Sequence, residues 1–416
     1  MTGPKYIPRL IHSRVSEALT DTRIVVIQGA RQVGKSTLAA AVTADSGGVA
    51  VTLDDPITRD FAASDPTGFV DQAPNSTLVI DEIQRVPELV IALKSAVDRN
   101  GRPGRFLVTG SADLLALSTT QESLAGRAER IGMRPFSQRE WAHRTGSFID
   151  TAFSGNLLRD HESTMDRAGY LHLACAGGYP KALQRTTARR REDWYIAYID
   201  QIVKRDAADV SGLQRLADLP RLLRLIAARM GSTMVWSSLA TDAAIPRRTL
   251  DPYVALLETL YLIDVIPAWS LNVTARQVKQ PKVFPSDSGI AAALLGTSAT
   301  ALGPTSPLAG PMLECFVVSE ILRQLGWADQ RATAHHYRDS RGQEVDLVLE
   351  TPDGRVVAIE IKAAATVQGR DTAGLSLLRD RLGDRFVAGF IAYAGQTAVA
   401  AGDRVTALPI DALWTR

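Results

Sequence analysis

The first 140 residues alternate two kinds of apolar pattern. Ile24–Gln28, Gly48–Leu53, Ser76–Glu82 and Arg105–Ser111 are short runs of β-branched and other apolar residues bounded by glycine or acids, the mark of strands buried in a parallel sheet. Before and between them the apolar residues fall at helical spacing, as in Leu10–Leu19 and from Thr37 to Val42. Ser123–Met133 leads from a helix end into a last strand, and Pro135-Phe136-Ser137 punctuates the end of the region. The alternation predicts an α/β domain with a parallel sheet over residues 1–140.

Beyond residue 140 the pattern changes twice. Residues 141–212 read as a helical region, with Gly177-Gly178-Tyr179-Pro180 as a turn. Over 213–285, Leu219–Arg229, Val235–Ala244 and Ile245–Leu260 have helical spacing, and Tyr261–Pro267 becomes strand-like. Three helices and a strand in that order predict a winged helix-turn-helix whose recognition helix starts near Pro246. Over 286–416, Met312–Leu322 reads as an amphipathic helix with inward acids. It is followed by two strands, Glu344–Glu350 and Val356–Lys362, joined by a turn at Pro352–Gly354.

Composition adds limits. A chain of 416 residues with 45% hydrophobic content can build more than one core, and a net charge of +2 means that any surface for nucleic acid must be local. Cys175 and Cys315 stand far apart, without a zinc-like Cys/His cluster, which suits a reducing cytoplasm. No apolar run approaches the ~20 residues of a membrane helix, and the first residues hold no apolar export signal. The expected setting is cytoplasmic, without membrane.

The chemistry concentrates in Gly29-Ala30-Arg31-Gln32-Val33-Gly34-Lys35-Ser36-Thr37, a complete G-x-x-x-x-G-K-[ST] pattern between a strand and a helix. Its glycines let backbone N–H groups turn toward phosphate oxygens, Lys35 reaches the outer phosphates, and Ser36 offers a hydroxyl to Mg²⁺. The helix N-terminus adds partial positive charge. Asp81 and Glu82 end an apolar strand: the first would hold Mg²⁺, the second would orient or deprotonate the attacking water. Thr109 and Ser111 end the next strand at the same sheet edge, as candidate sensors of the γ-phosphate or water, with a helix-capping role open to Ser111. Arg127, before the last strand, is the candidate arginine finger of a homo-oligomer. ATP and Mg²⁺ are the expected ligands.

Taken in order, Gly29–Ser36, Leu53-Asp-Asp-Pro56, Val79-Ile-Asp-Glu-Ile-Gln84, Leu107-Val-Thr-Gly-Ser111, Leu124-Ala-Gly-Arg127, Pro135-Phe-Ser137 and Gly177-Gly-Tyr-Pro180 form a set that resembles the prokaryotic AAA-type ATPases carrying a C-terminal DUF4143 region. The resemblance spans nearly the whole chain and implies an AAA-type fold with a hydrolytic site. The C-terminal strands resemble the core of the PD-(D/E)xK nuclease superfamily, with Asp346, Glu360 and Lys362 on its motif and Glu314 as a helix carboxylate; Val345 stands where that motif has proline. The resemblance implies an α/β nuclease-like domain over 286–416, in which a divalent cation would sit between the acids. An Asp/Glu–Lys ion-pair network without metal is the simpler account of the same residues.

Arg189, Arg190 and Arg191 on one helix, with Arg247 and Arg248 at the start of the recognition helix, are candidate contacts to DNA or RNA. The leading expectation is a Mg²⁺-dependent ATPase doing conformational work on nucleic acid. Two alternatives stand beside it: an ATP-driven nuclease or repair-type enzyme that uses the C-terminal acids, and a nucleotide switch that binds a protein partner.

Overall fold

A computed structural model describes residues 6–110, 124–207, 216–272, 276 and 279–416. The chain divides into two compact units, one of Met1–Phe136 with Asp206–Gly212 and Thr259–Tyr261, the other of Ser137–Arg205, Leu213–Glu258 and Leu262–Arg416. Most of residues 141–416, expected as three regions, thus falls in one unit.

In the first unit β1 (Ile24–Gln28), β2 (Val49–Thr52), β3 (Leu78–Asp81), β4 (Phe106–Gly110) and β5 (Ala128–Gly132) form one sheet in the order β2-β3-β4-β1-β5. Every neighbouring pair is parallel. The strands are apolar because helices cover them: Ile24, Val26, Leu78, Ile80, Phe106 and Val108 pack against Leu89, Leu93 and Ala96 of the Leu89–Arg99 helix. The amphipathic start of the chain forms the helix His12–Asp21, which buries Val15 and Ala18. One expectation is corrected. β2 is not buried: Val49, Ala50 and Thr52 are exposed, because this strand is the sheet's edge and its burial is carried by the following Leu53.

The second unit holds the helices Leu219–Ala228, Trp236–Ala243 and Arg247–Thr259, then β6 (Ile263–Ile266) paired antiparallel with β7 (Lys282–Pro285). Its larger sheet runs β12-β13-β11-β10-β9-β8, built from β8 (Thr333–Arg338), β9 (Glu344–Glu350), β10 (Val356–Lys362), β11 (Phe386–Tyr393), β12 (Val399–Gly402) and β13 (Val405–Pro409). β8, β9 and β10 are antiparallel neighbours, whereas β11 runs parallel to β10 and β13. Strand alternation splits the sheet between two cores. Leu347, Leu349, Val357 and Ile359 pack with the helix Ala309–Gln324, while Val348, Val356 and Ala358 pack with Leu375 and Leu378.

The helix Ala309–Gln324 departs from the amphipathic expectation: Met312–Ile321 is buried throughout, because the helix is enclosed within the unit. Its inward acids survive by pairing. Glu320 bonds Arg323 and accepts from Gln138 N–H at 2.8 Å, and Arg323 also meets Asp287 at 2.7 Å. Asp287 in turn accepts from Gly178 N–H at 2.8 Å and from the Tyr195 hydroxyl at 3.1 Å. The Gly177–Pro180 turn is thus a buried joint. Among the described residues no helix is long and apolar enough to cross a membrane.

Candidate functional site

The phosphate loop follows β1 and opens the helix Lys35–Ser46. Its backbone is committed to left-handed conformations at Gln32 (φ 63°) and Gly34 (φ 102°). At Gly29 an added Cβ would lie 2.1 Å from the Met133 carbonyl oxygen, so no side chain fits there. Val33 is fully buried and Ala30 nearly so, which anchors the loop, while Ser36 and Thr37 face solvent at the start of the helix. Lys35 is 5% exposed, and its ammonium donates to the Gly29 and Ala30 carbonyls at 3.0 Å each. Arg31 lies half-buried in the same loop. From outside the motif, Arg9 donates to Val33 O at 2.8 Å and to Arg134 O at 2.6 Å, with its guanidinium over the Phe136 ring at 4.5 Å.

The strand order brings Asp81, Glu82 and Thr109 to the carboxyl edge from which the loop springs. Thr109 is fully buried, and its hydroxyl donates to Asp81 Oδ1 while accepting from the Glu82 N–H at 3.1 Å. Thr52 donates to the other Asp81 oxygen at 3.4 Å. Glu82 itself is in the left-handed region (φ 58°), and its carboxylate accepts from the Gln84 side chain. The Thr109 hydroxyl therefore ties the two acids together. Ser111 lies outside the described residues. The Ser36 hydroxyl and the Asp81 carboxylate are hard-oxygen donors that fit Mg²⁺, while the glycine cradle offers backbone N–H groups that fit phosphate oxygens.

A second polar cluster lies in the other unit. Antiparallel pairing of Ile359 with Leu347 leaves Asp346 and Glu360 at one end of β9 and β10. Lys362 meets Glu360 at 2.7 Å, and Asp371 stands 3.9 Å from the same ammonium. Between Glu314 and Asp346 stands Lys282, whose ammonium is 2.7 Å from Glu314 Oε1 and 2.8 Å from Asp346 Oδ1. Its side chain is 2% exposed. Burial pushes the Glu314 carboxyl up to about 7 and the Glu360 carboxyl up to about 8, with Asp346 adding to both shifts. His336, whose Nε2 donates to the Gln280 carbonyl at 2.9 Å, is pushed down to about 4 by burial.

Comparison with known proteins finds the same two regions. Residues 21–142 match the family described as AAA domain, and residues 309–413 match Domain of unknown function (DUF4143). The chain carries an AAA domain and a DUF4143 domain. Residues 167–301 between them match Domain of unknown function (DUF8612). An uncharacterized protein of Mycobacterium tuberculosis is 28% identical over 410 residues, covering 97% of this chain and 83% of that one. Among solved structures, the Walker-type ATPase of Pyrococcus abyssi is similar with a TM-score of 0.40 and 14% identity, over 68% of this chain and 94% of that one. The Holliday junction branch migration motor RuvB of Thermotoga maritima is similar with a TM-score of 0.28 and 21% identity, over 62% and 89%. At those scores neither structure lends any detail.

Arg127, the finger candidate of the AAA domain, is engaged within its own chain: its guanidinium grips Asp98 with bonds of 2.7 and 3.0 Å. Arg189 and Arg190 are exposed, and Arg191 turns back to the Arg185 carbonyl at 3.1 Å. Arg247 and Arg248 are exposed at the start of their helix, with Arg247 paired to Asp251 at 2.6 Å. Sequence reasoning missed Arg9, Gln84 and Lys282. The sequence carried a partial signal for Lys282, a lysine at the head of the apolar run Lys282-Val-Phe-Pro285, where burial of a cation requires an anionic partner, but nothing local named that partner.

Proposed function

We propose that this protein is a Mg²⁺-dependent ATPase whose cycle of binding and hydrolysis does conformational work on nucleic acid, in a cytoplasmic setting. The observation that carries the reading is the convergence of Lys35, Asp81, Thr109 and Glu82 at one sheet edge around a glycine cradle. Lys35 leaves the Gly29 and Ala30 carbonyls for phosphate oxygens when ATP enters. Ser36 and Asp81 would hold Mg²⁺, which supplies charge neutralisation on the phosphates. Glu82 accepts a proton from the attacking water, and Thr109 fixes its backbone, so Thr109 acts as a positioning residue. Arg127 reaches a neighbouring subunit's phosphates only by releasing Asp98.

The nucleic-acid part is supported by Arg247 and Arg248 at the exposed start of a helix, in an order of three helices and two strands that fits a winged helix. A cavity of about 830 Å³ in the same unit adds Lys279, Arg338, Arg341 and Arg381 around Tyr337; among the described lining residues Asp339 is the one acid, and Arg338 pairs with Glu344 at 2.7 Å. ATPase rates measured with duplex DNA, single-stranded DNA and RNA test the reading, which expects stimulation by at least one. Affinity for that polymer should fall with salt, and Arg247→Ala with Arg248→Ala should flatten the slope by ~0.9 for each duplex phosphate that is no longer neutralised. No stimulation and no binding at low salt would direct the work to a protein partner.

A further inference from the structure

The nuclease-like resemblance of the C-terminal strands implies a divalent cation among Glu314, Asp346 and Glu360, and the residues around those acids do not fit one. We propose that the Lys282 ammonium is the built-in cation of this cluster, so the domain holds its acids together without metal and does not cut phosphodiester bonds by a metal-dependent route. The proposal stands apart from the ATPase reading.

The oxygens decide it. A Mg²⁺ ion asks for near-octahedral oxygen ligands at ~2.0–2.1 Å, several of them water. Here the Lys282 ammonium lies between Glu314 Oε1 and Asp346 Oδ1, at 2.7 and 2.8 Å. The second Asp346 oxygen accepts from the Ile361 N–H at 2.9 Å, and Glu360 Oε1 accepts from Lys362 at 2.7 Å. On the far side of Glu314, a Cβ added to Gly231 would stand 2.7 Å from Oε2, so the backbone closes there. Of the oxygens on Asp346 and Glu360, only Glu360 Oε2 has no hydrogen-bond partner among the described residues. A metal would have to displace an ammonium that already balances two buried carboxylates.

Nor is Lys282 free to swing aside. It begins β7, where its backbone is bracketed by Ile266 in β6 and by a bridge to Thr233, and its side chain is 2% exposed. Removing it from the cluster would strand Glu314 and Asp346 as uncompensated buried charges. Lys362, the lysine of the motif, is itself held by Glu360 and Asp371. The cluster therefore holds one lysine more than the nuclease pattern provides, contributed by β7 from outside the 309–413 match, and that lysine stands where a metal would.

The test is thermal unfolding of the full chain in EDTA and in Mn²⁺, with Mn²⁺ binding followed by calorimetry. Wild type should unfold at the same temperature in both and show no Mn²⁺ binding that Asp346→Asn removes. Lys282→Met keeps the stem and removes the charge. It should lose about 10 °C in EDTA, recover much of that in Mn²⁺, and gain a Mn²⁺ site that a further Asp346→Asn abolishes. Should Lys282→Met fail to fold, Lys282→Met with Glu314→Gln removes one charge of each sign and carries the same measurement. Two results would overturn the proposal: wild-type Mn²⁺ binding that Asp346→Asn abolishes, or no Mn²⁺-dependent gain in any folded variant that lacks Lys282.

Discussion

Thr109 shows how much a single hydroxyl can organise. It donates to Asp81 and accepts from the Glu82 backbone, so Thr109→Val, nearly the same shape, should leave the fold intact and lower kcat by ~10–100-fold, while Thr109→Ser restores most of it. Glu82→Gln should still bind ATP but lose turnover, because the amide keeps the shape and cannot take a proton. Steady-state hydrolysis beside nucleotide affinity separates the two; equal rates for Glu82→Gln and wild type would remove the role given to Glu82. Glu360 makes a prediction in pH. Burial raises its carboxyl to about 8, so between the ordinary carboxylate range and about 8 the folded chain holds a proton that the unfolded chain has released. The stability this group contributes is complete at low pH and is lost as pH rises through that window, the reverse of the usual carboxylate behaviour. Urea midpoints measured from pH 5 to pH 9 should decline with this slope, and Glu360→Gln should flatten it. A slope unchanged by the substitution would show that another group is responsible.

Elements that depend on local pattern were legible in the sequence, and elements that depend on distant partners were less so. The runs around Ile24, Leu78 and Phe106 are apolar on both faces and became the interior strands β1, β3 and β4. The run at Val49 reads alike, yet it took the sheet's edge, because strand order is set by tertiary packing that a local run does not encode. Both C-terminal strands and their turn were visible, so Asp346 and Glu360 could be placed at one hairpin end. Lys282 could not be placed there, because 64 residues separate it from Asp346 and no periodicity spans that distance. The Gly177–Pro180 turn makes the same point. Its glycines read as a loop, whereas Gly177 (φ 67°) is pressed so close to Tyr195 and Asp287 that an added Cβ would lie 2.1 and 2.2 Å from their oxygens. Gly177→Ala should therefore destabilise the unit by ~2 kcal/mol or more, seen as a lower denaturant midpoint with unchanged m-value. A midpoint equal to that of wild type would mean that the joint can yield.

For the molecule as a whole, the Arg127–Asp98 pair bears on whether activity needs an assembly. If Arg127 acts on a neighbour's nucleotide, then mixing Arg127→Ala with Lys35→Ala chains should restore part of the missing ATPase rate, and Asp98→Ala should raise the rate of an assembled sample by freeing the guanidinium. An absence of rescue at every mixing ratio would leave Arg127 as a surface tie. Arg9 carries a different consequence. It lies 24 residues before Val33, yet it braces the carbonyl of that loop residue and that of Arg134 beyond the last strand. A residue outside the motif thus helps to set the shape of the phosphate cradle. Replacing Arg9 by alanine would then be reported at a distance as weakened nucleotide affinity, which makes ATP binding a gauge of whether this brace is in place.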